Sequence, residues 1–284
     1  MVSGMPFAFG VSQFTTKPWT FEEDVELYAA LGVRAIEVVE DKLDPGRLDE
    51  QFAAIAAAGL AVSAVQPSVR TFLGSRMVPE PRDPATRLAR LKVSIERLGR
   101  FVPGAPFIVN TGAHSAGDMA EVMRATERGL LTLAPVAAHH GVRLALEPLN
   151  PTSLNVESAI WTLDQALAII EAVGRDEVGI CLDYWNIWQN PEAEAAIVRT
   201  GDRILAVQAG DWRDPRSFAD RLVPGSGVIP LGRLLRATAA AGYAGPCVVE
   251  LFSEEVDDSL YARDLRLVIA DSREGLEQAW ARST

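Results

Sequence analysis

The sequence is poor in the residues that mark several large functional classes. It has only two cysteines in 284 residues, too few for a disulfide framework. Cys181 and Cys247 both sit in apolar strand-like runs (GICLDY and GPCVVEL) and read as buried thiols of a reducing compartment. That spacing gives no metal or redox cysteine motif. There is no Lys/Arg block, and 27 basic residues face 38 acidic ones for a net charge of -11. Nucleic acid and acidic membrane surfaces are therefore unexpected partners. No stretch approaches the roughly 18 to 20 apolar residues of a membrane span. The first twenty residues have no basic n-region and no long apolar run, so no signal peptide is expected and the chain is placed in the cytoplasm. No G-x-G-x-x-G follows the first strand, which argues against a doubly wound dinucleotide fold.

What is present is alternation. Short apolar, β-branched runs occur at 7–14, 35–40, 60–66, 106–112, 142–148, 178–183, 204–211 and 246–252. Amphipathic segments of helical period lie between them, among them TFEEDVELYAALG, RLDEQFAAIAAAG and TLDQALAIIEAVG. Several end in glycine, and a phrase of helix, Gly and strand recurs at LGVRAIEV, AGLAVSAV, HGVRLALE and AGYAGPCVVE. Eight strands joined by helical or irregular connections predict an α/β fold, a parallel sheet closed into a single (β/α)8 TIM barrel over residues 1–284. No linker or composition break divides the chain. The long connections 67–84 and 211–229 follow strands on the face where such barrels keep their sites, and they read as lids.

Four consecutive strands carry an oxygen-bearing side chain near their C-terminal ends: Glu147, Asp183, Gln208 and Glu250. Strand ends converge in a barrel. Three carboxylates crowded together repel and resist ionisation unless a cation answers them. One divalent ion held by these four residues does so. The all-oxygen set favours Mn2+, Mg2+ or Ca2+ over Zn2+, and Mn2+ is expected first. Asp211 is left out of the set, since it equally starts the turn before Trp212.

The motifs LALEPLN, VGICLDYWNIW, AVQAGDW, RLVPGSGVIPL and AAGYAGPCVVELFSEE, spanning 142–255, resemble the xylose isomerase-like barrel superfamily. That superfamily includes sugar isomerases and epimerases, the endonuclease IV type and 3-dehydroshikimate dehydratases. In its D-tagatose 3-epimerase-like branch the ligands are Glu, Asp, His and Glu, matched here by Glu147, Asp183, Gln208 and Glu250. The resemblance implies that Glu147 and Glu250 also move the proton next to the carbonyl of a small ketose or keto-polyol, through a metal-bound enediolate. Two histidines of the pattern are replaced, by Gln208 and by Asn186, three residues after Asp183. These losses argue against a zinc cluster of the endonuclease type. They keep a metal-dependent lyase in view, one that dehydrates a cyclic keto-polyol as 3-dehydroshikimate dehydratases do or that eliminates from a keto-glycoside.

For the small-molecule, sugar-like substrate the expected contacts are His114, Arg213, Trp185, Asn186, Phe14 and Phe72, with Trp212 and Phe252 also near the mouth. Arg213, Arg216 or Arg70 could clamp an anionic group. His139 and His140 close a helix before Gly141, where the helix dipole accounts for them. By analogy with barrels of this type, a homo-oligomer is expected.

Overall fold

The computed structural model describes residues 4–114 and 116–282. Among them eight strands pair in parallel, in chain order, and the last pairs with the first to close the barrel. They are β1 (Phe9–Ser12), β2 (Ala35–Val39), β3 (Ala61–Gln66), β4 (Pro106–Val109), β5 (Arg143–Leu146), β6 (Val178–Asp183), β7 (Ile204–Ala209) and β8 (Cys247–Val249). Each of the eight expected runs contains one strand, the outer residues having become loop. The helices are α1 (Phe21–Ala30), α2 (Leu48–Ala57), α3 (Pro84–Leu98), α4 (Met119–His139), α5 (Leu163–Val173), α6 (Tyr184–Ile187), α7 (Ala193–Thr200), α8 (Leu231–Ala240) and α9 (Leu265–Arg282). Among the described residues, no helix is long and apolar enough to cross a membrane.

Local signals start and stop these elements. Thr20 with Glu23 and Thr162 with Gln165 form capping boxes at the heads of α1 and α5, and Asp83 caps α3 ahead of Pro84. The glycine in each recurring phrase (Gly32, Gly59, Gly141 and Gly242) has positive φ, which turns the chain out of a helix toward the next strand.

Side-chain alternation then builds the interior. Strand residues two apart share a face, so the inward positions form layers. One layer contains Ala64, Ile108, Ala145, Cys181 and Ala206, a buried apolar cluster that also includes Leu205. Two residues further on, toward the C-terminal ends, stand Gln66, Asn110, Glu147, Asp183 and Gln208. Glu250 follows β8 at the corresponding place, and Glu37 belongs to the same inward set on β2. The register aligns Asp183 with Gln208 directly. A polar layer thus rests on a floor of small apolar side chains, and both cysteines are buried and free. Outside the barrel, a continuous core of Leu, Ile, Val and Phe side chains packs the helices onto the strands.

Candidate metal centre and active site

Glu147, Asp183 and Glu250 meet: one ligand oxygen from each lies within 4.8 Å of the others, and all three side chains are buried. Each is held by neighbouring polar groups. Asn110 Nδ2 donates to Glu147 Oε2 (2.9 Å), and Asn186 Nδ2 donates to both Glu147 Oε1 and Asp183 Oδ2 (2.8 Å each). Asp183 Oδ1 also accepts from the Trp185 N–H at 3.0 Å, capping the short α6. Asn186 Oδ1 accepts the Asn150 N–H, so Asn186 is fixed from both ends. It is a hydrogen-bond bridge between two acids.

Two charged residues that the sequence reading passed over complete the cluster. Glu37 is fully buried on β2 and accepts from Gln208 Nε2 at 3.0 and 2.9 Å and from Gln66 Nε2 at 3.3 Å. Arg221 enters from the 211–229 connection. Its guanidinium bridges Asp183 Oδ2 and Glu250 Oε2, 2.9 Å each, and lies against the faces of Trp185 and Phe252. Burial works against the Arg221 charge, but Asp183, Glu250 and Glu147 outweigh it and raise its pKa.

The acids respond as crowded buried carboxylates do. Burial, then the charges of Glu250 and Asp183, push Glu147 up to about 8. Burial lifts Glu250 to about 7 against the pull of Arg221. Burial and the Glu250 charge hold Glu37 well above the carboxylate range. Asp183 is raised by burial and partly restored by Arg221.

The donor set fits a divalent ion. Three carboxylates offer oxygen ligands from one small volume, and their acidity exceeds what one guanidinium neutralises. Gln208 sits in the cluster with its amide nitrogen toward the acids: Nε2 donates to Glu37 and, at 3.0 Å, to Glu250 Oε1, while Oε1 accepts from Cys181 Sγ at 3.1 Å. The neighbours dictate this orientation, because two carboxylates attract an N–H and repel a carbonyl oxygen.

Above the cluster the cavity is lined by Phe14, Trp185 and Phe252 on one side and by Ser75, Met77 and Phe218 from the two long connections. Both connections therefore reach the site, as expected. Asp211 organises the second of them, accepting backbone N–H bonds from Trp212, Gly225, Gly227 and Ile229. A Cβ on Gly227 would stand 2.4 Å from the Trp212 carbonyl oxygen, so the loop closes only around glycine. This leaves Asp211 committed to the loop and outside the ligand set.

Of the expected substrate contacts, Phe14, Trp185 and Asn186 line the cavity. The other three do not. Phe72 is buried in the core against α4, where a Cβ on Gly129 would meet its ring at 2.3 Å. Arg213 pairs with Asp220 and Asp258. Half-buried His114 accepts the Ala116 N–H through Nδ1, apart from the cavity lining.

A closed parallel barrel with a buried acidic cluster at the C-terminal ends of its strands defines a class of (β/α)8 barrels in which strand-end carboxylates surround one site. Within that class the chain belongs to the xylose isomerase-like TIM barrel family, whose model matches residues 25–278. It is 32% identical over 140 residues to the inosose isomerase of Halalkalibacterium halodurans, covering 48% of each chain. It is 29% identical over 147 residues to the ketose 3-epimerase of Arthrobacter globiformis, covering 51% of this chain and 45% of that one. The chain thus spans about half the length of the curated relatives it matches. A solved structure of an IolI protein with a bound zinc atom superposes with a TM-score of 0.80 at 21% identity, over 98% of this chain and 99% of that one, and shows the shared fold.

Proposed function

We propose that the protein is a divalent-metal-dependent isomerase or epimerase that moves a proton next to the carbonyl of a small ketose or keto-polyol. One observation carries the reading: Glu147 and Glu250 share a single buried cluster with Asp183, yet come from strand ends three positions apart around the eight-strand ring. A carbon acid seated between them has a carboxylate on either side. The named activities of the inosose isomerase and ketose 3-epimerase relatives, and the zinc in the IolI neighbour, support the same class.

Glu147, Asp183 and Glu250 would hold the ion; Gln208, expected from sequence as a fourth ligand, turns its amide nitrogen to Glu37 and Glu250 and its oxygen to Cys181, so it positions the acids instead. When bound, the ion supplies positive charge that draws electron density from a carbonyl and stabilises the oxyanion formed on proton loss. The chain's own groups do the rest. Asn110 and Asn186 fix the Glu147 carboxylate, while Gln66, Gln208 and Arg221 fix that of Glu250. One glutamate, ionised, removes the proton, and the other, starting protonated, delivers its own from the opposite side, which inverts the carbon; delivery to the neighbouring carbon gives isomerisation instead. Burial keeps both carboxylates basic enough for that task. Phe14, Trp185 and Phe252 shield the site from water and offer flat apolar faces to a sugar ring.

The test is incubation of ketoses and inososes in D2O with protein loaded with Mn2+, followed by NMR. Solvent deuterium entering next to the carbonyl without loss of water is the expected result. Loss of water with a new ultraviolet enone band would reassign the protein to the lyases. Protein that binds no divalent ion and exchanges no proton would refute both.

A further inference from the structure

Among the described residues, the cavity carries one cation with no direct ion-pair partner, although its charge is felt by Glu250 and Glu157. Arg213 and Arg216 share Asp220 and Asp258, and Arg221 bridges Asp183 and Glu250. Lys17 pairs with Glu254, and Lys42 with Asp24. Arg70 differs. It lies in the connection after β3 and lines both the catalytic cavity and the groove that continues from it past Phe14 toward Lys17 and Lys42. Its Cζ sits 5.4 Å from the centroid of the Phe14 ring. Among the described residues its guanidinium has no ion-pair or hydrogen-bond partner. Glu157, another acid of the cavity lining, is engaged by the Met77 N–H instead, at 2.8 Å.

A half-buried guanidinium with no carboxylate paired directly to it, facing a cavity that accepts a ligand, finds that partner in the ligand. Its planar fork of N–H donors matches a carboxylate in a two-point contact. A single arginine in so acidic a cavity suits one negative charge better than a phosphate dianion. We infer that the substrate is a keto sugar acid whose carboxylate is seated on Arg70 while its carbonyl end reaches the Glu147–Asp183–Glu250 cluster. Arg70 is then a specificity-determining residue. The inference rests on the proposed isomerase reading and narrows its substrate class.

The experiment compares 5-keto-D-gluconate with D-fructose, a keto acid and a neutral ketose of the same length, by calorimetric titration of Mn2+-loaded protein. Wild type should bind the acid about tenfold or more tighter, the worth of one charge-assisted contact. Arg70→Gln should cut that preference to below about threefold, with the loss falling mainly on the acid, and Arg70→Lys should keep part of it. Thermal melts of both variants confirm folding. Equal affinities in wild type, no binding of the acid at all, or a preference that survives Arg70→Gln because the carboxylate goes to the ion or to Arg221 would each overturn the inference. Proton exchange on neutral ketoses without any acid preference would leave the isomerase reading standing and remove this one alone.

Discussion

Replacing Arg221 with methionine tests whether the carboxylate cluster depends on the guanidinium bridge. Methionine keeps most of the volume between Trp185 and Phe252 but removes the charge. Each contact in the bridge is 2.9 Å from nitrogen to oxygen. With charge centres near 4 Å and an effective dielectric of about 20, each is worth about 4 kcal/mol before desolvation. Desolvation of the ions takes back several kcal/mol, and breaking such a buried pair from one side costs about 3–5 kcal/mol. At roughly 2 °C per kcal/mol for a chain of this size, Arg221→Met should melt about 6–10 °C lower at pH 8 in the presence of a chelator. The sign of the pH dependence follows from the raised pKa values of Glu147, about 8, and Glu250, about 7. Below those values the acids carry protons and need no cation, so the deficit should shrink at pH 5. A divalent ion should also restore much of it at pH 8. Circular dichroism melts of both proteins, at both pH values and with and without Mn2+, make the comparison. A deficit of the same size in every condition would refute the electrostatic account and leave only lost packing against the two rings.

Three further outcomes are expected. Glu250→Gln should keep the fold, since the amide keeps the side-chain shape and one oxygen that accepts from Arg221, while turnover falls by about 10²–10⁴-fold; undiminished turnover removes Glu250 from the proton transfer. Burial raises Asp24 from its ordinary 3.8 to about 6, against the pull of Lys42. A folded-state pKa above the unfolded one gives stability that is present below pH 4 and lost as pH rises through 6, up to about 3 kcal/mol. Wild type should therefore lose ground to Asp24→Asn over that window in chemical denaturation, and a difference that is flat or opposite in sign refutes the assignment. Asp211→Ala leaves four loop N–H groups without their acceptor and should cost about 3 kcal/mol or more in melts, with weaker metal binding because the connection carrying Arg221 loosens; an unchanged melt shows that the loop holds itself.

The barrel was legible because its signals are local. Strand, helix and glycine stop recur in short windows, and the eight strands fall inside the runs that alternation marks out. The three clustered acids were legible for a related reason: a charge inside an apolar run has to be answered wherever the chain takes it. Other parts of the site carried no such flag. Gln66 and Asn110 sit at strand ends as ordinary neutral residues, and only the closed ring places them on Glu250 and Glu147. Glu37 lies in AIEVVE, where the outer Glu40 reads as the strand's end and the inner acid looks incidental. Yet Glu40 faces Arg97 and Ser94 outside the barrel, and Glu37 points inward. Arg213 is nearer than Arg221 to Gln208 in sequence. Asp220 captures the first, whereas Asp211 folds the loop that delivers the second.

Arg221 and Glu37 also change how the site balances charge. From sequence, three carboxylates and one neutral amide needed a divalent ion and kept one negative charge after binding it. In the structure Glu37 adds a fourth acid and Arg221 supplies a resident cation, so the fully ionised site with its ion again carries one negative charge, by a different route. The two routes behave differently without metal. A cluster held only by an ion would swell on its removal or take up protons. This cluster keeps Asp183 and Glu250 tied to a guanidinium that is itself clamped by two aromatic faces. The carboxylates are therefore held in place without an ion, and on the proposed reading a divalent ion would have less conformational entropy to overcome.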